Sequence, residues 1–123
     1  MSAKRQERTR AFHAVNSDGT RHVVGIENLR VIIVKREDHW FAQGLDIDYA
    51  AEGRDIDDVR RAFEYGLAAT IAEHIKEFRT IDNLLCPAPE GAWKPIAAGA
   101  VLNRYSQVSA HVFPFSIEFL QAA

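Results

Sequence analysis

Carboxylates crowd one short stretch of the chain: Asp46, Asp48, Glu52, Asp55, Asp57 and Asp58, opposed only by Arg54. Clustered carboxylates can hold Mg²⁺ for phosphodiester chemistry, so Asp46, Asp48 and Glu52 raise the reading of a magnesium-dependent nuclease. Side chains alternate along a strand, which puts Asp46 and Asp48 on one face, whereas Asp57 and Asp58 belong to a helix start. No spacing brings three of them to one point. The same residues suit a helix cap with its dipole, or an acidic patch that meets a basic protein. The pattern favours these two uses.

The other residue types with reactive side chains are scattered. Five histidines, His13, His22, His39, His74 and His111, show no His-x-x-Glu-His spacing, and the single cysteine, Cys86, excludes Cys-x-x-Cys. No metal site and no cofactor are expected. His13 and His22 flank Asp18-Gly19 and can face one another across a hairpin, while His74 sits near a helix C-terminus. Cys86 lies between Leu85 and Pro87 and reads as a packed thiol. Gly44, Gly53 and Gly66 have neither the spacing nor the context of a phosphate loop, and no Ser stands in a nucleophile elbow. Lys35 and Arg36 adjoin Trp40 and Phe41, a neighbourhood used for single-stranded nucleic acid, but the two aromatics point to opposite faces and the core needs one. The chain carries no enzymatic signature.

Its 123 residues make one domain, with 47% hydrophobic and 26% charged residues and a net charge of -2. That balance supplies no general drive toward nucleic acid or an acidic membrane. No apolar run approaches the roughly 20 residues of a membrane helix, and Phe12 to Val15 is too short for a signal-peptide core. A cytoplasmic protein is expected.

Several elements must position these residues. Residues 1–10 carry Lys4, Arg5, Arg8 and Arg10 against Glu7 and read as a flexible basic arm, with a single domain over 11–123. Asp18-Gly19 between Phe12–Val15 and Thr20–Val24 is a hairpin signal. Asn28 to Lys35, with β-branched Val31 to Val34, reads as a strand, and Trp40 to Leu45 as its partner. Ile47 to Gly53 extends the meander. Ile56, Val59, Phe63, Leu67, Ile71, Ile75 and Phe78 form the stripe of a long amphipathic helix capped by Asp55. Gly66 inside that helix implies close contact with a strand or another chain. Residues 80–108 show weaker signals, a Pro-punctuated connection in which Trp93 should pack back onto the body. Phe113, Phe115, Ile117 and Phe119 alternate as one half-buried strand, with Pro114 assigning it to an edge. The expected class is α+β: an antiparallel β-meander sheet covered by one long helix, with a returning C-terminal strand.

Val31 to Phe78 resembles the HicB-type antitoxin domain, a partial RNase H-like fold. The residues that carry the likeness are Val31-Ile32-Ile33-Val34-Lys35-Arg36-Glu37-Asp38, then Trp40-Phe41-Ala42-Gln43-Gly44-Leu45-Asp46. Ala50-Ala51-Glu52-Gly53-Arg54-Asp55-Ile56-Asp57-Asp58-Val59-Arg60-Arg61-Ala62 completes it. Asp46-Ile47-Asp48 replaces the family's Pro-containing turn, and no basic helix pair follows Arg79 to bind operator DNA.

The resemblance implies a non-catalytic antitoxin that neutralises a small basic RNase toxin by occluding its active site. Asp46, Asp48, Glu52 and Asp57 would face that partner, with Arg60, Arg61 and Glu64 contributing from the exposed helix face. An inhibitor or accessory protein of a phage or mobile element, aimed at another target, is the alternative, ahead of the magnesium-dependent nuclease. A homodimer is expected through the aromatic C-terminal edge.

Overall fold

One long strand organises everything else. The computed structural model describes residues 8–94 and 99–122. Strand β1 spans Arg10–Val15, β2 His22–Arg36, β3 His39–Gly44, β4 Ala50–Gly53, β5 Val101–Val112 and β6 Ile117–Ala122. Helix α1 spans Ile56–Phe78, and a single turn, α2, spans Glu90–Trp93. The six-stranded sheet runs β4-β3-β2-β5-β6, with β1 also paired to β2. Every pairing is antiparallel, so the α+β class holds. Strand β5 lines one edge of β2, while β1 takes His22–Glu27 and β3 takes Val31–Arg36 on the other.

The two strands expected at Thr20–Val24 and Asn28–Lys35 are therefore one. What hid their continuity is a change of phase. The buried residues run Val24 and Ile26, then Leu29, Val31 and Ile33. Asn28 separates the two sets with φ of 57°, in the left-handed region that Asn tolerates better than most residues. Strand β5 changes phase in step, from Val112, Ala110 and Val108 to Tyr105, so the pairing register continues unbroken. Side chains on both strands thus keep facing the same core.

The first hairpin forms as its sequence requires. Gly19 takes φ of 75°, and its N–H donates to the Asn16 carbonyl. The Asp18 carboxylate accepts from the Thr20 hydroxyl at 2.6 Å and the Thr20 N–H at 3.0 Å, bonds that hold its pKa below the ordinary value. Strand β4 begins only at Ala50, later than expected. The preceding residues turn instead, with the Gly44 N–H donating to the Tyr49 carbonyl and Tyr49 N–H to Ile47.

Helix α1 starts where its cap predicts. The Asp55 side chain accepts from the Asp58 N–H at 2.8 Å, and the Asp58 side chain reaches back to the Arg54 N–H at 2.8 Å. The first bond satisfies one of the donors that a helix start leaves open, and the second ties down the residue before the cap. At the far end Arg79 adopts φ of 65° and donates its N–H to Ile75. Val59, Phe63, Leu67, Ile71 and Ile75 bury the helix against the sheet. Phe78 falls outside that stripe, 57% exposed, with its ring against His74. His74 itself ties the helix to the next loop, its Nε2 lying 2.9 Å from the Asp82 carbonyl.

After α1 the chain folds back, as Trp93 suggested. Leu84 joins the core, Ala88 donates its N–H to the Leu45 carbonyl, and the Trp93 indole N–H donates to Ala88. Cys86 does not pack; its thiol is free and exposed. The C-terminal aromatics correct the expectation of one strand. Pro114 and Phe115 form the turn of a β5–β6 hairpin, closed by the Phe113 N–H to the Ser116 carbonyl. Phe115 is fully exposed, and Phe119 packs against the core. Residues 1–7 of the expected basic arm lie outside the described residues, whereas Arg10 already opens β1.

Candidate functional site

The acidic stretch divides into groups with separate jobs. Asp55 and Asp58 are spent on the helix start. Asp46 is spent on the core. Its carboxylate accepts from Arg30 Nη2 at 2.8 Å, Arg30 Nε at 3.3 Å and the Arg30 backbone N–H at 2.9 Å. The Asp46 side chain is 10% exposed and that of Arg30 is 42% exposed. Burial pushes the Asp46 carboxyl up, but Arg30's hydrogen bonds and charge outweigh it and hold the group below its ordinary value. The same bonds raise Arg30. The expectation that Asp46 meets a partner is therefore corrected, because a buried carboxylate fastened to a guanidinium is not available to a second protein.

The same pair bears on the carboxylates Asp46, Asp48 and Glu52. Both Asp46 oxygens are occupied, and no three His, Cys, Asp or Glu side chains among the described residues are grouped to hold a metal.

Asp48, Glu52 and Asp57 remain at the surface. Asp48 lies in the loop before β4 and accepts from Gln43 Nε2 at 3.3 Å. Glu52 stands on β4, with His39 Nε2 3.4 Å from its carboxylate. Asp57 occupies the first turn of α1. All three belong to the loop, strand and helix start at one end of the sheet. Strand β4 is the terminal strand there and, among the described residues, pairs only with β3. Its outer edge keeps backbone donors and acceptors that no neighbouring strand uses, the pattern that accepts an added strand.

The helix residues separate in the same way. Arg61 is exposed as expected. Glu64 is instead half-buried, accepting from the Tyr105 hydroxyl at 2.8 Å and from Gln121 Nε2 at 3.4 Å. Burial, followed by the hydrogen bond and charge of Glu64, pushes the Tyr105 hydroxyl well above its ordinary pKa. Arg60 is half-buried, and its Nε is enclosed without a hydrogen-bond partner. Arg60 and Glu64 thus lie against the β5–β6 side, which corrects their assignment to an exposed contact face.

Two further features come from residues whose pairing was open. His13 Nε2 and His22 Nδ1 are 2.9 Å apart, with rings 10° from parallel, so the two histidines do meet across the first hairpin. Burial and then the charge of His22 lower His13. Trp40 packs against the core, and Phe41 lies beneath Arg36, whose guanidinium carbon is 5.4 Å from the ring centroid. That contact covers one face of the Phe41 ring.

The Arg30–Asp46 pair is encoded in the strand register. Arg36 and His39 enclose a two-residue turn, Glu37-Asp38, with Glu37 at φ of 46°. Counting back from that turn pairs Val31 with Gly44, and the next residue out, Arg30, accepts from Leu45 beside Asp46. The register alone places the two charges together.

Comparison with protein-family models, curated proteins and solved structures finds no match. No helix among the described residues is long and apolar enough to cross a membrane.

Proposed function

We propose that this chain is a non-catalytic, cytoplasmic protein-binding domain of the antitoxin kind, which neutralises a small basic RNase by covering its active-site surface. The observation that supports it is the acidic rim of Asp48, Glu52 and Asp57 around the open edge of β4. A basic partner would gain main-chain hydrogen bonds along β4 and charge complementarity from the rim. The first supplies affinity, and the second supplies fast and selective association. Asp46 holds the loop that carries Asp48, because its bonds to Arg30 pin the chain between β3 and β4.

A homodimer belongs to the same proposal and uses the opposite end of the sheet. Strand β6 is terminal there, and Ile117 and Leu120 are exposed. Dimerisation through β6 would leave β4 free for the partner.

The test is co-expression with candidate small basic RNases encoded beside the chain, scored by RNA cleavage. The chain should abolish cleavage at a stoichiometric ratio. The variant Asp48→Lys/Glu52→Lys/Asp57→Lys should fail to do so while keeping its fold by circular dichroism. Equal protection by the folded variant would remove the acidic rim from the mechanism.

A further inference from the structure

Arg30 and Arg104 are register partners on β2 and β5, so both side chains leave the same face of the sheet. Directly opposed residues on paired strands have Cβ atoms about 4.5–5.5 Å apart, and like charges there repel. Only one of these two charges is compensated. Asp46 commits both its oxygens to Arg30, and no carboxylate among the described residues pairs with Arg104. Arg8 is likewise without an acidic partner among them. Arg8, Arg30, Arg104 and Asp46 line one cavity of about 410 Å³, to which Leu85 and Pro87 add apolar wall. Three guanidinium groups against one carboxylate leave two uncompensated positive charges in a partly enclosed space.

We propose that this cavity binds the phosphate group of a small phosphomonoester. Guanidinium forks match the oxygens of a phosphate, and charge-assisted bonds of this kind are about twice as strong as neutral ones. A phosphomonoester dianion near neutral pH carries the charge the site lacks. The cavity is larger than inorganic phosphate requires, and Leu85 and Pro87 offer contact to an organic group. Arg30 is held in place by Asp46, so part of the site is fixed before any ligand arrives. Bound phosphate would also relieve the Arg30–Arg104 repulsion, which gives the ligand a stabilising effect on the sheet. This site uses none of Asp48, Glu52 and Asp57 and does not depend on the chain being an antitoxin.

The experiment is a titration of the whole chain with phenyl phosphate at low ionic strength, followed by backbone amide NMR. Saturable shifts should centre on Arg30, Leu85 and Arg104, and inorganic phosphate should bind more weakly. Arg104→Gln removes a fork from an exposed position and should weaken phenyl phosphate by roughly ten- to a hundredfold. Arg104→Lys, which keeps the charge without the fork, should fall between the two. Amide signals that stay still up to about 10 mM ligand, a range covering even weak binding, would overturn the site. Equal affinity in the folded Arg104→Gln variant would do the same. Inorganic phosphate binding as tightly as phenyl phosphate would overturn the assignment to an ester.

Discussion

Gly66 lies inside α1, where replacement by Ala ordinarily stabilises a helix by about 1 kcal/mol. The neighbouring Tyr49 reverses that sign. A Cβ at position 66 would fall on the Tyr49 hydroxyl and the ring carbon that bears it. The ring has little room to retreat, since it packs against Phe63 with centroids 5.3 Å apart, and both its backbone groups are hydrogen-bonded within the turn. Forcing extra volume into a packed site costs about 1–3 kcal/mol, and loosening an aromatic pair adds about 0.5–1.5 kcal/mol. Against the helix gain, Gly66→Ala should destabilise the protein by roughly 0.5–3.5 kcal/mol. In a Tyr49→Ala background the obstacle is gone, and Gly66→Ala should then stabilise by about 1 kcal/mol. The difference is a coupling of about 1.5–4.5 kcal/mol, above the error of a double-mutant cycle. Urea unfolding followed by circular dichroism, with a common slope for the four proteins, measures it. A Gly66→Ala protein as stable as the parent, or the same effect in both backgrounds, would refute the close approach.

Asp46→Asn keeps the shape but removes the charge from the Arg30 pair, and should cost about 1–3 kcal/mol by urea unfolding at neutral pH. Because the folded Asp46 carboxyl lies below its ordinary pKa, its contribution is complete above about pH 4 and is lost as the pH falls through the folded value. Asp46→Asn should lack that acid-side decline, and an unchanged decline would assign it to other carboxylates. His13 is also lowered, so the unfolded chain takes up its proton first on acidification. Stability from this group is complete above about pH 6.5 and falls as the pH drops toward the folded value. His13→Gln should flatten the slope of stability just below about pH 6.5; a slope equal to the parent's would contradict the His13–His22 pairing.

Much of the fold was legible because local signals agreed with tertiary needs. Asp18-Gly19 set the first hairpin, and Asp55 with the stripe from Val59 to Ile75 set the helix. Gly66 marked a close contact but with the wrong partner: a strand or another chain was expected, and the contact is the Tyr49 side chain, whose place depends on how the loop before β4 turns. Strand β5 was the main loss. Its inward residues shift from Val108 to Tyr105, which breaks the two-residue period that announces a strand. The C-terminal aromatics failed for the opposite reason, since Phe113, Phe115 and Ile117 keep that period across a turn. In the candidate site, composition revealed the acidic stretch but not its division of labour. Asp46 and Asp48 differ by two residues in sequence, yet one meets Arg30 and the other meets solvent. Only register separates them.

The most direct test of the proposed function is whether one small basic RNase is silenced by this chain through the β4 end of the sheet. RNA cleavage is measured for that RNase with the parent chain, with Asp48→Lys/Glu52→Lys/Asp57→Lys, and with Asp46→Asn. The parent should stop cleavage at a stoichiometric ratio and the triple variant should not, while Asp46→Asn should still protect where it stays folded. Protection by the triple variant equal to the parent's, or no RNase silenced by the parent, would contradict it.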